Sequence, residues 1–385
     1  MGKKRLTMEQ FNKPDILHEG AYTKDELLAF KKARHIIKEY DVYEKQCEEL
    51  FEILYPEKKR ISSYQQEEKE FIAEKKGDMR GSWVYFPWNG YCVHILNDTE
   101  YTKIRTNRNK NIITEKEQKT LLDFSVGVVG LSIGSSIATS LVYTGIARSM
   151  KLADFDILST SNLNRVRARV FDVGEPKVNL AAQQIYEINP YAQLTIYSDG
   201  LKKEGLSRFF TDPPIQLIFD AIDDFEMKIR LRMEARNKKI PVVMLTNLGD
   251  NVLIDIERYD LDPKLPLFNG LIGTIPEEIL DSKISEKEKQ RFAVRLVGME
   301  YVPKRALESL FEINKTLVGR PQLASTVTVA GGIAAYIVRM IALQKKIQSG
   351  RRYVMFQDIL QQESIEDKDR VLVEKKFTEI FESEI

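Results

Sequence analysis

The chain has 385 residues, of which 43% are hydrophobic and 30% charged, and its formal net charge is +1. This composition predicts a globular protein with a substantial core, and the near-zero charge gives no overall field that would favour nucleic acid or an anionic membrane as a partner. Two cysteines without a CxxC pair argue against the disulfide framework of a small secreted protein.

Two features predict a cytoplasmic location and no membrane partner. The first residues, MGKKRLTMEQ, are polar and contain no apolar stretch of the kind found in secretory signal peptides. The most apolar run, residues 323–338, is interrupted by Gly331-Gly332 and closed by Arg339, and it is shorter than the ~20 residues that span a bilayer. We therefore expect a buried helix in this run.

Residues 1–100 predict a mainly helical extension that contains one β-hairpin. Apolar residues recur at near-helical steps over residues 24–54, which predicts a helix that packs on its own domain or, alternatively, binds a partner. Asn89-Gly90 separates two apolar runs and indicates the hairpin turn. The two tryptophans, Trp83 and Trp88, lie in this hairpin and would build a small local core or line a substrate groove.

Residues 102–122 form a basic arm before the next apolar run. Thr114 and Glu117 have the spacing of a capping box, which predicts the start of a short helix. Taken alone, the rest of the arm is typical of a solvated basic loop.

The stretch of residues 124–177 organises the rest of the chain. Residues 125–129 are small and apolar, as in a buried strand, and the GLSIGSS segment that follows contains Gly130, Ser132 and Gly134. Because glycine has no Cβ, the backbone N–H groups of such a turn can approach a phosphate closely at the start of the next helix. A tight turn without a ligand is the alternative interpretation of the glycines alone.

Two acidic residues follow the next predicted strand. That strand covers about residues 150–153, and Asp154 and Asp156 come at its C-terminal end. In a strand–glycine loop–helix–strand unit, an acid at this place hydrogen-bonds a ribose hydroxyl. The unit by itself would also fit an NAD- or FAD-binding redox protein.

The segment beyond this strand is polar and basic, which favours a triphosphate over a dinucleotide. It contains Asn162, Arg165 and Lys177. Guanidinium and ammonium groups can neutralise the charge on a transferring phosphoryl group. We therefore predict that Arg165 and Lys177 contact phosphates, and that Asn162 helps to orient them.

After residue 177, buried strands alternate with helices, which predicts an α/β fold with a mostly parallel, Rossmann-like sheet. Ligands in such sheets bind beyond the carboxyl ends of the strands, where Asp220, Asp223 and Asp224 also lie. We assign Asp223 to Mg²⁺, which takes one or two carboxylates together with phosphate oxygens and water. Asp224 would cap the next helix, and Asp220 would be structural.

From residue 251 the pattern becomes antiparallel, which predicts an extension of the sheet followed by further helices. Residues 276–300 are strongly charged and predict a helix that could face a partner, and the charged residues 363–385 are expected to fray. The predicted domains are an extension, a nucleotide-binding domain with its basic arm, and a helical region that completes it: residues 1–100, 101–260 and 261–385.

Six short segments share their order and approximate spacing with one known family. They are the Gly130–Gly134 loop, Asp154-Phe155-Asp156, Ser161-Asn162-Leu163-Asn164-Arg165, Gly174-Glu175-Pro176-Lys177, Ile188-Asn189-Pro190 and Asp220-Ala221-Ile222-Asp223-Asp224. Together they resemble the ThiF-type, ubiquitin-activating-enzyme-like adenylyltransferases of the HesA/MoeB/ThiF superfamily. The resemblance implies that ATP·Mg²⁺ is bound and that AMP is joined to a carboxylate, usually the C-terminus of a ubiquitin-like protein or a peptide.

The resemblance also implies a homodimer. In the family, an arginine of the basic arm crosses the dimer interface and touches the neighbour's ATP phosphates, and Arg108 is the matching residue, with Arg105 as the second choice. Arg165, Lys177 and Arg108 would then be the catalytic cations, and Asp154 would hold the ribose. Some members activate a carboxylate on a tRNA base, which the near-neutral charge makes a less favoured variant.

Several residues that other family members carry are absent from the sequence. Two CxxC pairs that hold zinc in many members are missing, so we expect no zinc, and no cysteine follows Cys92. A thioester on this chain would require Cys47 or Cys92, which are otherwise small core or surface residues. We therefore expect a separate thiol or amine acceptor. A non-catalytic scaffold is a further alternative, because Leu131-Ser132 stands where the family often has a small residue and glycine.

Overall fold

The computed structural model describes residues 11–77, 79–273, 292, 294–360, 373 and 375. The chain divides into two compact units. The first comprises residues 1–119 and 185–192, and the second comprises residues 120–184 and 193–385. Each unit has its own sheet.

The first unit is built on a four-stranded sheet with the strand order β1-β3-β4-β2. Strands β3 and β4 pair in antiparallel register, and the positive φ of Gly90 (69°) lies in the turn between them. The predicted hairpin is therefore confirmed. The elements up to the start of the second unit are β1 (Asp15–Leu17), α1 (Lys24–Lys32), β2 (Lys38–Asp41), α2 (Tyr43–Leu54), α3 (Tyr64–Lys75), β3 (Ser82–Phe86), β4 (Tyr91–Ile95), α4 (Asp98–Thr106) and α5 (Glu115–Asp123).

The continuous helix predicted over residues 24–54 is wrong. Strand β2 interrupts it between α1 and α2 and pairs in parallel with β4. Because this pairing supplies backbone hydrogen bonds from a distant segment, the local apolar periodicity could not reveal it. The capping box, in contrast, is present, since the Thr114 N–H donates to Glu117 Oε2 (3.0 Å) and the Glu117 N–H donates to Thr114 Oγ1 (3.3 Å).

The hairpin tryptophans pack within the first unit. Trp83 is buried and stacks on His94, with ring centroids 4.4 Å apart, in a cluster that includes Tyr22 and Phe30. The indole N–H of Trp88 donates to Glu187 Oε1 (2.7 Å). For Trp83 the structure thus favours the local core over a substrate groove.

The second unit is built on a seven-stranded sheet with the order β11-β10-β9-β8-β5-β6-β7. The five strands from β9 to β7 are parallel, and β10 and β11 add to the β9 edge in antiparallel register. This arrangement is the predicted Rossmann-like sheet with an antiparallel extension. The strands are β5 (Val126–Val129), β6 (Ser149–Ala153), β7 (Gln193–Tyr197), β8 (Leu217–Asp220), β9 (Val242–Leu248), β10 (Asn251–Glu257) and β11 (Gly350–Met355).

Helices alternate with the parallel strands and follow the antiparallel ones. They are α6 (Gly134–Tyr143), α7 (Lys177–Ile188), α8 (Leu206–Thr211), α9 (Phe225–Lys238), α10 (Lys304–Leu310), α11 (Ala324–Ala342) and α12 (Phe356–Leu360). Helix α11 is the predicted apolar helix, and among the described residues it alone is long and apolar enough to cross a membrane, with half of it buried. It packs so closely on α6 that a Cβ on Gly331 would lie 2.6 Å from Ser140 Oγ, which is the packing of a core helix.

The three predicted domains stay a prediction, and the two compact units divide the chain at other positions. The first unit extends beyond residue 100 to residue 119, and the second continues through residue 260. The reason for the second difference is that β10 pairs with both β9 and β11, so that residues on either side of position 260 belong to one sheet. Most of the charged helix predicted over residues 276–300, and nearly all of the predicted charged end at 363–385, lies outside the described residues.

Candidate nucleotide site

The turn after β5 requires glycine at two positions. Gly130 has a φ of +86°, and a Cβ there would lie 2.3 Å from the carbonyl oxygen of Ala221, the residue that follows β8. A Cβ on Gly134 would lie 2.8 Å from Val128 Cγ1. The backbone therefore turns from β5 into α6 against the end of β8, which is the switch point where ligands bind in open α/β sheets.

Asp154, at the end of β6, holds this turn in place. Its Oδ2 accepts the N–H of Leu131 (2.5 Å), and its Oδ1 accepts the N–H of Asp156 (2.7 Å). Burial raises the pKa of the Asp154 carboxyl, although both backbone donors act in the opposite direction. Each carboxylate oxygen retains a further lone pair that could accept a hydrogen bond from a ribose hydroxyl. The assignment of Asp154 to the ribose stays a prediction.

Asp156 pairs with Lys177 across the same end of the sheet. Lys177 Nζ donates to Asp156 Oδ2 (2.8 Å), and the Lys177 N–H at the start of α7 donates to the Asp156 carbonyl (2.9 Å). The lysine side chain is buried, whereas half of the Asp156 side chain is exposed. Asp156 therefore offsets the positive charge of Lys177.

Arg165 lies next to the glycine turn. Its Nε donates to Ser132 Oγ (3.3 Å), and its Nη1 donates to Asn164 Oδ1 (2.9 Å). Burial lowers the pKa of Arg165, and the nearby Asp223 carboxylate opposes this shift. The side chain of Asn162 accepts the N–H of Ser159 (3.2 Å) and so caps the turn that contains both residues. Its predicted contact with phosphates stays a prediction.

The three aspartates after β8 have different surroundings. Asp224 Oδ1 accepts the N–H of Met227 (2.7 Å) and caps α9, which confirms the prediction. Asp220 is fully buried; burial would raise its pKa, but Lys228 and Arg232 lower it, as expected for a structural charge. The Asp223 side chain is 90% exposed and accepts a hydrogen bond from Arg320 Nη2 (2.8 Å).

A cavity of about 440 Å³ opens at the carboxyl ends of β5, β6 and β8. Its walls include Gly130, Ser132, Asp154, Asp156 and Asp223, so five of the predicted site residues meet around one space. Cavities of this size bind small ligands and cofactors.

Sequence reasoning missed the apolar part of this cavity. The residues concerned are Phe155, Leu201, Ile222 and Met227. Phe155 is 68% exposed and lies between the two acids, and Leu201 follows the end of β7. The rule that ligands lie beyond the carboxyl ends of strands could have identified both, but they have no charge that would have drawn attention to them.

Arg108 and the two cysteines belong to the first unit. Arg108 lies in the short 3-10 turn Asn107–Asn109, and its role across a dimer interface stays a prediction. Cys47 and Cys92 are both buried, and burial raises the pKa of both thiols, that of Cys92 to about 11. Neither has the depressed pKa of a reactive cysteine. Among the described residues, no group of three or more His, Cys, Asp or Glu could hold a metal.

Comparison with known proteins identifies the family. Residues 105–370 match the model of the ThiF family. The chain belongs to the ThiF family. It is 36% identical over 269 residues to the uncharacterized protein MT1398 of Mycobacterium tuberculosis, a match that covers 70% of this chain and 37% of that protein.

Two relatives of lower sequence identity have names that state an activity. The chain is 29% identical to the tRNA threonylcarbamoyladenosine dehydratase of Escherichia coli (47% of this chain, 63% of the relative) and 23% identical to ubiquitin-like modifier-activating enzyme 5 of Caenorhabditis elegans (52% and 49%). It thus spans less than two thirds of each of these curated relatives. Among solved structures, the crystal structure of PaaA has a TM-score of 0.48 at 20% identity and covers 68% of this chain and 80% of that chain.

Proposed function

We propose that this protein binds ATP and adenylates a carboxylate, releasing pyrophosphate. The observation that carries the proposal is the single cavity that joins the Gly130 turn, Asp156 and Asp223 at the ends of three parallel strands. Membership of the ThiF family supports the same reaction. Arg165 and Ser132 beside this turn add hydrogen-bond donors at the side where phosphates would lie.

The reaction needs little proton chemistry. A carboxylate oxygen attacks the α-phosphorus of ATP, the bond from that phosphorus to the bridging oxygen breaks, and pyrophosphate leaves with the electron pair. Because a carboxylate is already ionised at neutral pH, no general base is required. Arg165 and Lys177, with Arg108 from a second copy in a homodimer, would stabilise the charge that develops on the phosphates. Asp154 would bind the ribose, and Asn162 would orient the phosphates.

Magnesium fits this site through one protein ligand. Asp223 presents a single exposed carboxylate to the cavity, and Mg²⁺ in nucleotide sites takes most of its ligands from phosphate and water. The ion would supply charge neutralisation to the triphosphate when bound. Zinc has no comparable set of thiolates in the sequence, whose two cysteines are both buried.

The substrate class that we propose is the C-terminal carboxylate of a ubiquitin-like protein or a peptide. The burial of Cys47 and Cys92 argues against a thioester on either, so the acyl-adenylate would pass to a thiol or amine of another molecule. The relative named for a ubiquitin-like modifier supports this class, while the relative named for a tRNA modification supports the alternative of a carboxylate on a tRNA base. A cytoplasmic location would suit either substrate.

Calorimetry with ATP·Mg²⁺ and with NADH tests the nucleotide. We expect ATP to bind and NADH not to bind; tight NADH binding alone would favour a redox protein, and binding of neither would favour a scaffold.

Pyrophosphate exchange then tests the chemistry, with peptides that end in Gly-Gly as substrates and the same peptides amidated at the C-terminus as controls. Lys177→Ala and Asp223→Ala should each lower exchange by about 10²–10³-fold, because the first removes a cation from the phosphates and the second removes the carboxylate that would hold Mg²⁺ there. Asp212→Ala, which removes a similarly exposed carboxylate outside the cavity, should not change the rate. If both cavity variants exchange at the wild-type rate, the assigned roles are wrong.

A further inference from the structure

The candidate nucleotide cavity has an excess of negative charge in its wall. Two cationic residues line it, Lys203 and Arg230, and Arg230 is already paired with Glu226 (2.7 Å). Five carboxylates line it: Asp154, Asp156, Asp223, Asp224 and Glu226. Since a triphosphate is strongly anionic, it would be repelled unless further cations reached it.

The cations that the sequence suggested do not remove this excess. Lys177 is buried against Asp156, so part of its charge offsets that carboxylate and only the rest can act on a phosphate. Arg165 donates its hydrogen bonds to the neutral groups Ser132 Oγ and Asn164 Oδ1, although the Asp223 carboxylate lies near it, so a ligand can compete for its charge. Of the two cations that the sequence suggested in the second unit, Arg165 would therefore be the more available to a triphosphate, beside several carboxylates.

Arg320 comes to the same place from the loop before α11. Its Nη2 donates to Asp223 Oδ1 (2.8 Å), and almost half of its side chain is exposed. The loop is anchored beside Arg165, because Asn164 Nδ2 donates to the carbonyl of Gln322 (2.8 Å) while Asn164 Oδ1 accepts from Arg165. Asn164 thus hydrogen-bonds both to Arg165 and to the loop that contains Arg320.

We propose that Arg320 is a phosphate-binding residue of this site, held by Asp223 until the nucleotide arrives. The inference rests on the proposed function, since the ligand it names is the triphosphate of ATP. An exposed ion pair of this kind is weak, so a phosphate oxygen can replace Asp223 as the partner of the guanidinium. Arg320 would then contact the β- or γ-phosphate while the released Asp223 carboxylate becomes available to Mg²⁺.

Calorimetry on the full chain separates this role from a structural one. Arg320→Gln should weaken ATP·Mg²⁺ binding about tenfold or more, because a charged hydrogen bond to phosphate is lost, and should change AMP binding by less than twofold. Arg320→Lys, which keeps the charge but loses the planar fork, should lie between wild type and Arg320→Gln. Arg208→Gln is the matched control, since Arg208 also pairs with an exposed aspartate, Asp212.

Asp223→Asn should change ATP affinity in the opposite direction to Arg320→Gln. Without Mg²⁺ and in the presence of EDTA, this variant should bind ATP more tightly than wild type, because it removes a negative charge and releases Arg320. Equal ATP affinity in Arg320→Gln and wild type would overturn the role of Arg320 and leave the proposed function standing. Equal weakening of ATP and AMP would also overturn it, by showing general damage to the site. Failure of the folded wild type to bind ATP would overturn both proposals.

Discussion

Asp220 and Asp223 lie in one short segment, and each pairs with an arginine, but their surroundings differ completely. Asp220 Oδ2 accepts from Arg232 Nη1 (2.5 Å) with both side chains fully buried, and Arg232 Nε also donates to Glu257 Oε2 (2.6 Å). Asp223, which lines the cavity, meets Arg320 with 90% of its side chain exposed. Burial therefore decides whether a charged pair is a permanent part of the core or can be exchanged for a ligand.

The buried cluster also holds the backbone around it. Glu257 Oε1 accepts from Tyr259 Oη (2.5 Å) and from the N–H of Phe268 (2.7 Å), whose φ is +52°. Lys228 Nζ donates to Asp220 Oδ1 (2.9 Å). Because β8, α9 and β10 all contribute to this network, it positions the end of β8 from which Asp223 extends.

The largest effect that we expect comes from removing the central cation of the buried cluster. Arg232→Met leaves Asp220 and Glu257 without their shared partner, and it should lower the free energy of unfolding by about 3–5 kcal/mol. Urea unfolding measures this change. Arg320→Met, which breaks the exposed pair, should cost less than about 1 kcal/mol. Similar losses in the two variants would contradict the distinction between the pairs.

Lys151 is a buried cation that forms no ion pair with any described residue, and its contribution to stability should depend on pH. Lys151 Nζ donates to the carbonyl of Phe209 (2.7 Å), and burial lowers the pKa of Lys151 to about 8. Between this value and the ordinary lysine pKa of about 10.4, the unfolded chain binds the proton and the folded chain does not, so this group makes the protein more stable as pH rises from 8 to 10.

Lys151→Met removes that dependence. Relative to the variant, wild type should gain about 2–3 kcal/mol of unfolding free energy between pH 7 and pH 10. Urea unfolding at several pH values tests this, and a difference that stays constant with pH would show that Lys151 titrates normally. Lys202→Met, at an exposed lysine paired with Asp199, serves as the control.

The smallest effect concerns the neighbour of Asp223. Asp224→Ala removes the cap of α9 and should cost about 1 kcal/mol of unfolding free energy, while Asp224→Ser should retain most of it. Asp223→Ala should leave stability nearly unchanged and act on nucleotide binding instead. Thermal unfolding of the three variants distinguishes the two aspartates, and a larger loss of stability at Asp223 would reverse their assignment.

The sequence by itself determined the features that depend on neighbouring residues. The turn at Gly130, the capping box at Thr114 and the cap at Asp224 were all predictable, because each needs a particular residue type at a fixed short spacing. The alternation of strands and helices likewise predicted the parallel sheet and the edge where Asp154, Asp156 and Asp223 meet.

Only the tertiary structure decided the features that join distant segments. Strand β2 forms because β4 offers it backbone partners, and Arg320 meets Asp223 across 97 positions of the chain because the loop before α11 folds back onto Asn164. The sequence assigned Asp220 to a structural role and Asp223 to a ligand, but the local pattern did not give the arginine that pairs with either one. Their different burial results from the packing of α9 and β10 around one and not the other, and packing is a property of the whole fold.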